Sequence, residues 1–399
     1  MNSNGKIRIG VFGGRRGQNI IDVINIHPEA EFVAFCDKNE NVMNSVYEKA
    51  KENGNEIKRF RNFSDFIEYP EMDAVVLCNY ADDHVRFAIE AMKKGKHVLS
   101  EVLPCETPAE AVALVEAVEE TGMVYAYAEN YCYMSAPFEM WLKCKKGEIG
   151  DIVYGEGEYL HDCSSIFASI TDHLNPKHWR MRMFPTFYCT HSLGPLIMMS
   201  GMRPKSVVGY ELPPNTFECD GTEVSKTNGG IEMVTMENGA VFKSLHGGLK
   251  REPNSNNYMI YGTKGMMESF RFNYCQFNMY KEGEELCKGD WVKYDPEWKY
   301  EKELADKVTT HHGSDFFPTH FFIKKIKGED TDNMSIDVYR ALDMGLCGIY
   351  AWRSALEGGK PMEIPDLRDK SVRDKLRNDN ACCTVEKAGD TLLPKTIFK

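Results

Sequence analysis

Residues 7–17 read Ile-Arg-Ile-Gly-Val-Phe-Gly-Gly-Arg-Arg-Gly, an apolar run that meets a glycine turn. The run Ile7–Phe12 has the length and composition of a buried strand. Glycines let a backbone approach its neighbour closely, and a helix opening behind them aims amide N–H groups and a partial positive charge at an anion. Strand, glycine turn and helix in that order form the layout of a dinucleotide site. Gly13, Gly14, Arg15, Arg16 and Gly17 are its candidate contacts. The turn is a residue short of G-x-G-x-x-G, with Arg15 near the place of the middle glycine, so the motif is weak when taken alone. Asp37 strengthens it, because it follows the next strand-like run, Glu31–Cys36. A carboxylate there accepts hydrogen bonds from the adenosine ribose and repels a 2′-phosphate, which favours NAD over NADP. Lys38 and the two arginines of the turn pull the other way.

Outward from this turn, strand-like runs at Asp73–Cys78 and His97–Leu99 alternate with helical patterns near 17–26, 39–53, 81–94 and 107–121. Alternation of this kind builds βαβ units on a parallel sheet. Asn79 and His84 follow the 73–78 run, at the carboxyl end of the sheet where ligands bind, and join the candidate cofactor contacts. Thr107 with Glu110 has the spacing of a capping box. After about residue 128 the rhythm changes. A helical stretch, 134–146, stops at Gly147-Glu148-Ile149-Gly150, and Ile152–Leu160 alternates like a half-exposed strand. Several strands separated by Asn/Gly turns follow between 205 and 281, the pattern of a mostly antiparallel open sheet with one face covered. Helical patterns at 314–327 and 335–356 precede a polar tail. The chain is therefore expected to be α/β with two domains, residues 1–128 binding the nucleotide and 129–399 binding substrate and mediating oligomerisation.

A net charge of −12 argues against nucleic acid or an anionic membrane as partner. No apolar leader or membrane-length run is read, so a cytoplasmic protein is expected. Thirteen scattered cysteines without a C-x-x-C pair read as reduced thiols, and adjacent Cys382 and Cys383 read as a surface feature. His161, Cys189 and His191 are ligand types, but their spacing fits no standard zinc pattern, and no metal is expected.

The segments Asn79-Tyr-Ala-Asp-Asp-His84, Ala88–Glu101, Gly147–Tyr159, His311-His-Gly-Ser-Asp315 and Leu356–Asp366 resemble the Gfo/Idh/MocA oxidoreductase family over nearly the whole chain. The resemblance implies an N-terminal Rossmann domain and a C-terminal α/β domain whose open sheet forms a substrate cleft or a subunit interface, with a homodimer or homotetramer as the expected assembly. Ordinary dehydrogenases of that family carry a Glu-Lys-Pro segment and an Asp four residues before a His. Here Glu101 is followed by Val102, and Phe187 stands four residues before His191. A valine cannot carry a proton, so the ordinary mechanism does not transfer.

Glu129-Asn130, Tyr159-Leu-His161-Asp162, His178-Trp179-Arg180-Met-Arg182 and Tyr188-Cys-Thr-His191-Ser-Leu-Gly-Pro195 together are similar to the NAD-dependent glycoside hydrolase branch, typified by α-N-acetylgalactosaminidase. One departure stands before Gly262-Thr-Lys-Gly265, where Asn254 occupies a place that can hold tyrosine in the branch. That branch resemblance implies a tightly bound, recycled NAD and a sugar or glycoside substrate. Bond cleavage would proceed by oxidation at C3, elimination across C1–C2, addition of water and reduction. Such chemistry needs proton carriers rather than two flanking carboxylates. Tyr188 and His191 are expected near C3 and C2, and His161 or Tyr159 as a second proton carrier. Trp179, Arg180, Arg182, Glu129 and His311 are expected at the substrate, although His312 leaves the last register open. Glu101 and Asn130 are expected at the cofactor. Two other functions fit the residues: a net glycoside 3-dehydrogenase yielding a keto-sugar, and a non-catalytic dinucleotide sensor.

Overall fold

The computed structural model describes residues 5–249, 254–273, 275–283 and 291–398. Residues 1–4, on which the reading of the N-terminus partly rests, lie outside them. The elements begin β1 (Ile7–Phe12), α1 (Gly14–Ile26), β2 (Ala30–Cys36), α2 (Glu40–Glu52), β3 (Lys58–Phe60) and α3 (Phe63–Ile67). Then come β4 (Ala74–Leu77), α4 (His84–Lys93), β5 (His97–Ser100), α5 (Pro108–Thr121), β6 (Tyr125–Tyr127) and α6 (Ser135–Lys145). β7 (Ile152–Leu160) is followed by the short helices α7 (Phe167–Ile170) and α8 (Trp179–Arg182), then α9 (Thr190–Ser200). Strands β8 (Pro204–Glu211), β9 (Asn215–Cys219), β10 (Thr222–Lys226), β11 (Gly229–Met236) and β12 (Val241–Gly247) come next. They continue as β13 (Ser255–Gly262), β14 (Gly265–Ser269), β15 (Phe277–Lys281) and β16 (Val292–Tyr294). The chain ends with α10 (Lys302–Ala305), α11 (Phe316–Ile326), α12 (Val338–Leu356), β17 (Met362–Glu363), α13 (Lys370–Leu376) and α14 (Val385–Ala388).

One compact unit comprises Met1–Cys105, Ala109–Asn130 and Lys299–Ala341. Its six strands are all parallel in the order β3-β2-β1-β4-β5-β6. The order reverses between β1 and β4, which opens a crevice at their carboxyl ends. Helix α1 starts at Gly14, three residues before its sequence-predicted start, because the glycines pack inside its first turn. A Cβ on Gly14 would lie 2.2 Å from Val42 Cγ1, and one on Gly17 2.8 Å from Val11 Cγ1. The predicted boundary at 128 is incomplete, since residues 299–341 return to this unit. Phe322 and Ile323 of α11 join Ile7, Ile9 and Leu99 in one apolar core, and burial of that helix face draws the segment back. Pro108 opens α5 directly behind Thr107, where the capping pattern placed the helix start.

The second unit comprises Glu106–Pro108, Tyr131–Trp298 and Leu342–Lys399. Its nine-stranded sheet runs β16-β15-β14-β13-β7-β12-β11-β8-β17. Among the described residues, β7–β12 is the one parallel pair in this sheet. Helix α9 lies on a floor of small residues in this sheet. A Cβ on Gly157 would come 1.8 Å from Ser192 O, and Ser192 Oγ meets Ser244 Oγ at 2.8 Å. The polar tail folds as β17, α13 and α14, with Arg373 buried. The expectation that Cys382 and Cys383 lie at the surface is corrected too. Cys382 is fully buried, and the Cys383 thiol donates to Arg182 O at 3.0 Å. Among the described residues no helix is long and apolar enough to cross a membrane.

Candidate functional site

In the parallel-sheet unit, Gly13 precedes α1 with φ +94°, and its N–H donates to Cys36 O at 3.0 Å. A Cβ there would stand 2.6 Å from the carbonyl of Cys78, so only glycine lets the ends of β1 and β4 approach this closely. Asp37 follows β2, with Oδ2 accepting from Gly14 N at 2.7 Å and Oδ1 from Asn39 N at 2.8 Å. Lys38 lies over the Tyr80 ring, 5.2 Å from its centroid. Asn79 Nδ2 donates to Tyr80 O, whereas its Oδ1 is buried and accepts no hydrogen bond among the described residues. A buried acceptor left open beside the glycine turn fits a dinucleotide that supplies the donor. Arg15 is exposed at the turn.

Arg16 takes another course. Its guanidinium donates to Glu101 Oε1 at 2.7 Å and to both oxygens of Asp315, at 2.7 and 2.9 Å. Burial opposes its charge, but Glu101 and Asp315 together hold it protonated well above the usual arginine value. Burial likewise opposes the Asp315 charge, yet hydrogen bonds from Arg16 and His311 hold that carboxyl well below its usual range. Asn130 Nδ2 donates to Asp315 Oδ1 at 2.7 Å, and His311 Nδ1 lies 2.9 Å from Oδ2. Arg16, Glu101, Asn130 and His311 are thus brought together around one buried carboxylate that sequence reasoning did not single out. His84 is buried, its ring lodged between Leu103 O and Asn79 O, where it shapes the turn carrying Asn79. Glu129 is fully buried.

The antiparallel unit contains a pocket. Tyr159, His161, Arg180 and Tyr188 line it, four of the residues the sequence singled out. Tyr159 Oη lies 3.0 Å from His161 Nδ1. Burial, then the neighbouring phenols Tyr131 and Tyr188, push the Tyr159 hydroxyl well above its ordinary value. It is therefore a phenol at neutral pH, within hydrogen-bond distance of His161. The His191 ring packs 4.2 Å from Tyr131, 4.8 Å from Tyr159 and 4.8 Å from Tyr188, centroid to centroid. Trp179 stacks on Tyr188 at 6.0 Å, and the Arg180 guanidinium stands over both rings at 4.3 and 5.3 Å. Arg182 separates from this group, its Nη1 3.3 Å from Glu386 Oε2.

Two local features fix these side chains. The proline of the Thr-His-Ser-Leu-Gly-Pro stretch sits inside α9, where Pro195 has no N–H for the carbonyl of His191 four residues earlier. Tyr258 Oη donates to that carbonyl instead, at 2.6 Å. Phe187, at the place of the missing Asp, is buried against Phe184 at 4.8 Å and Trp179 at 6.5 Å, so packing has replaced a charge.

The sequence did not reveal His246, Lys226 and Lys395, which also line the pocket. His246 pairs in register with Tyr159 across the β7–β12 pair and so shares its sheet face. Its Nε2 lies 3.0 Å from Pro185 O, which can only accept, and its Nδ1 lies 3.4 Å from Oε1 of the fully buried Glu232. Only the alternation of β12 could have pointed to His246. Lys395 carries no motif at all. Among the described residues no group of three or more His, Cys, Asp or Glu is placed to hold a metal ion. Cys189 is buried with its thiol toward Met344 O.

Residues 7–129 match the oxidoreductase family with an NAD-binding Rossmann fold, and residues 221–372 match the C-terminal domain of glycosyl hydrolase 109. A glycosyl hydrolase family 109 protein of Solibacter usitatus is 28% identical over 394 residues, covering 91% of this chain and 89% of that protein. Glycosyl hydrolase family 109 protein 2 of Akkermansia muciniphila is 25% identical, covering 91% and 83%. Among solved structures, levoglucosan dehydrogenase in complex with NADH and L-sorbose superposes with a TM-score of 0.75 at 18% identity, covering 90% of this chain and 99% of that one. The WlbA dehydrogenase from Bordetella pertussis in complex with NADH and UDP-GlcNAcA gives 0.70 at 19%, covering 92% and 99%. At these identities the solved structures speak for the fold. The family match and the glycine turn agree on NAD as the cofactor.

Proposed function

Because the chain belongs to the Gfo/Idh/MocA oxidoreductase family and carries the C-terminal domain of glycosyl hydrolase family 109, we propose that it cleaves a glycoside by a redox-neutral, NAD-dependent route. The observation that carries this reading is the composition of the pocket. It presents a phenol–imidazole pair, Tyr159 and His161, beside Tyr188, with His191 packed against both phenols. No Asp or Glu is among the described residues that line it, so hydrolysis by two flanking carboxylates is not built here. The ordinary dehydrogenase set is also absent, with buried Val102 and Phe187 at the Lys and Asp places.

NAD, when bound, supplies the two-electron oxidation of the sugar C3 alcohol and its reversal at the end of the cycle. The residues of the chain handle the protons. Tyr188 and His191, each in its basic form, take the proton of the C3 hydroxyl and then the C2 proton, which the adjacent ketone has acidified. Loss of the C1 substituent then completes the elimination. Tyr159, held as a neutral phenol within hydrogen-bond distance of His161, donates a proton to the leaving oxygen. Water adds at C1 and a proton returns to C2, so the sum is hydrolysis. Arg180 and Trp179 orient the substrate.

Turnover of aryl glycosides in D₂O tests this reading. Deuterium at C2 of the released sugar without accumulation of NADH is expected. Stoichiometric NADH with intact aglycone would replace it with a glycoside 3-dehydrogenase.

A further inference from the structure

The pocket is electrostatically one-sided in a chain that is acidic as a whole. The sequence has 60 Asp and Glu against 48 Lys and Arg, yet the pocket carries Arg180, Lys226 and Lys395 and no acid among the described residues that line it. A cleft of one sign walled by apolar rings focuses its field on an entering ligand. The rings are present, since Arg180 stands over Trp179 and Tyr188, and Lys226 Nζ lies 4.9 Å from the Phe167 ring centroid.

The three cations converge. Burial pushes the Cys163 thiol up, Lys226 and then Arg180 pull it back, and Asp162 adds a smaller upward push, so both cations act on the same wall. Lys395 comes from the C-terminal segment and donates to Met181 O at 2.6 Å, one residue beyond Arg180. Burial lowers its ammonium, and the Cys383 thiol and the Glu211 carboxylate offset only part of that. A neutral sugar needs none of this. Hydroxyl groups are satisfied by amides and hydroxyls, whereas the half-buried Lys395 ammonium carries a desolvation cost that an anion offsets.

We infer that the substrate carries an oxyanion, a carboxylate, sulfate or phosphate on the sugar or its aglycone, and that Arg180, Lys226 and Lys395 bind it. This rests on the reading that the pocket receives the glycoside. Its test therefore separates binding from turnover.

The holoenzyme is given 4-nitrophenyl glucosides, glucuronides, glucoside 6-sulfates and glucoside 6-phosphates in both anomers. Binding is followed by Trp fluorescence and calorimetry, and turnover by nitrophenol release. One charged series is expected to bind about 10- to 100-fold tighter than the neutral one, the range of charge-assisted hydrogen bonds. Which series does so identifies the source of the oxyanion. In K395Q and K226Q the ratio of charged to neutral affinity is expected to fall about tenfold, and K395R is expected to restore most of the first loss. Neutral glycosides that bind as well as every charged series would overturn the inference and leave the glycosidase reading standing. Preferential binding of charged ligands with no C2 exchange would do the reverse. No binding of any charged series at millimolar concentration also overturns the inference.

Discussion

The two charged regions of this molecule use arginine in opposite ways. In the parallel-sheet unit Arg16 is closed off, with Glu101 and Asp315 accepting its donors and Asn130 and His311 completing the shell. In the antiparallel unit Arg180 lies over two aromatic rings on a pocket wall that holds other cations and no lining acid among the described residues. The first arrangement holds a backbone in place and makes a rigid frame for a nucleotide turn. The second, on the inference drawn above, meets an anionic ligand. An arginine next to a glycine turn is therefore not by itself a phosphate contact, and an arginine on a pocket wall need not be part of a salt bridge.

The largest effect expected is chemical and confined to the antiparallel unit. His191→Ala should lower kcat/KM about 10²- to 10⁴-fold, the range for loss of a general base. NAD affinity by calorimetry should stay unchanged, and a parallel loss of NAD binding would break the division of labour drawn between the two units. Asp315→Asn should act on the frame instead. Removing one partner of a buried ion pair costs about 3–5 kcal/mol, here toward the low end and read as a lower denaturation midpoint, because Glu101 still faces Arg16. An Asp315→Asn protein with unaltered stability would mean that Arg16 is not held by this pair.

Tyr258→Phe sharpens the comparison within the pocket unit. It removes the donor that replaces the N–H missing at Pro195, at a cost of about 1–3 kcal/mol, and kcat should fall more than substrate affinity as His191 loses its anchor. Equal stability of variant and parent would show the contact to be dispensable.

A pH slope is expected in the parallel-sheet unit as well. His27 Nδ1 accepts from Glu29 N, so its Nε2–H donates to His320 Nδ1 at 3.1 Å. Burial, then the adjacent His320, lowers His27 to about 3, while burial, then Lys324, lowers His320 to about 4. Both are neutral in the folded protein at pH 5, where the unfolded chain, with imidazoles near 6.5, binds more protons. Stability is thus complete above about pH 6.5 and declines as pH falls toward 4, by about 1.4 kcal/mol per pH unit for each proton taken up. Denaturant melts at pH 7 and pH 5 should show this, and His27→Gln/His320→Gln should flatten the slope. A parent protein without the slope would remove the buried pair from the account.

Much of this was legible in the chain because the signals are local. The run Ile7–Phe12 and the strand Ile152–Leu160 were read with the bounds the structure has, since period and punctuation lie within a few residues. Glycine spacing identified the turn at Gly13–Gly17, though not that its helix begins at Gly14. The return of 299–341 to the first unit was not legible, because an apolar helix face does not say which sheet it covers. Nor was the group around Asp315, 299 residues from Arg16 in sequence. His161, Tyr188 and His191 were found through motif resemblance, whereas His246 needs the β7–β12 register to place it beside Tyr159.

The sequence alone determined the order of strands and helices, the dinucleotide turn and the kinds of proton carrier available, because these depend on residue type and short spacing. The tertiary structure decided which charges are neutralised and which face a pocket. It brought Lys395 onto the same wall as Arg180 and Lys226, and it set Tyr258 under His191. Electrostatic and hydrogen-bond partners are chosen by distance in space and by burial, and neither is written in the linear chain.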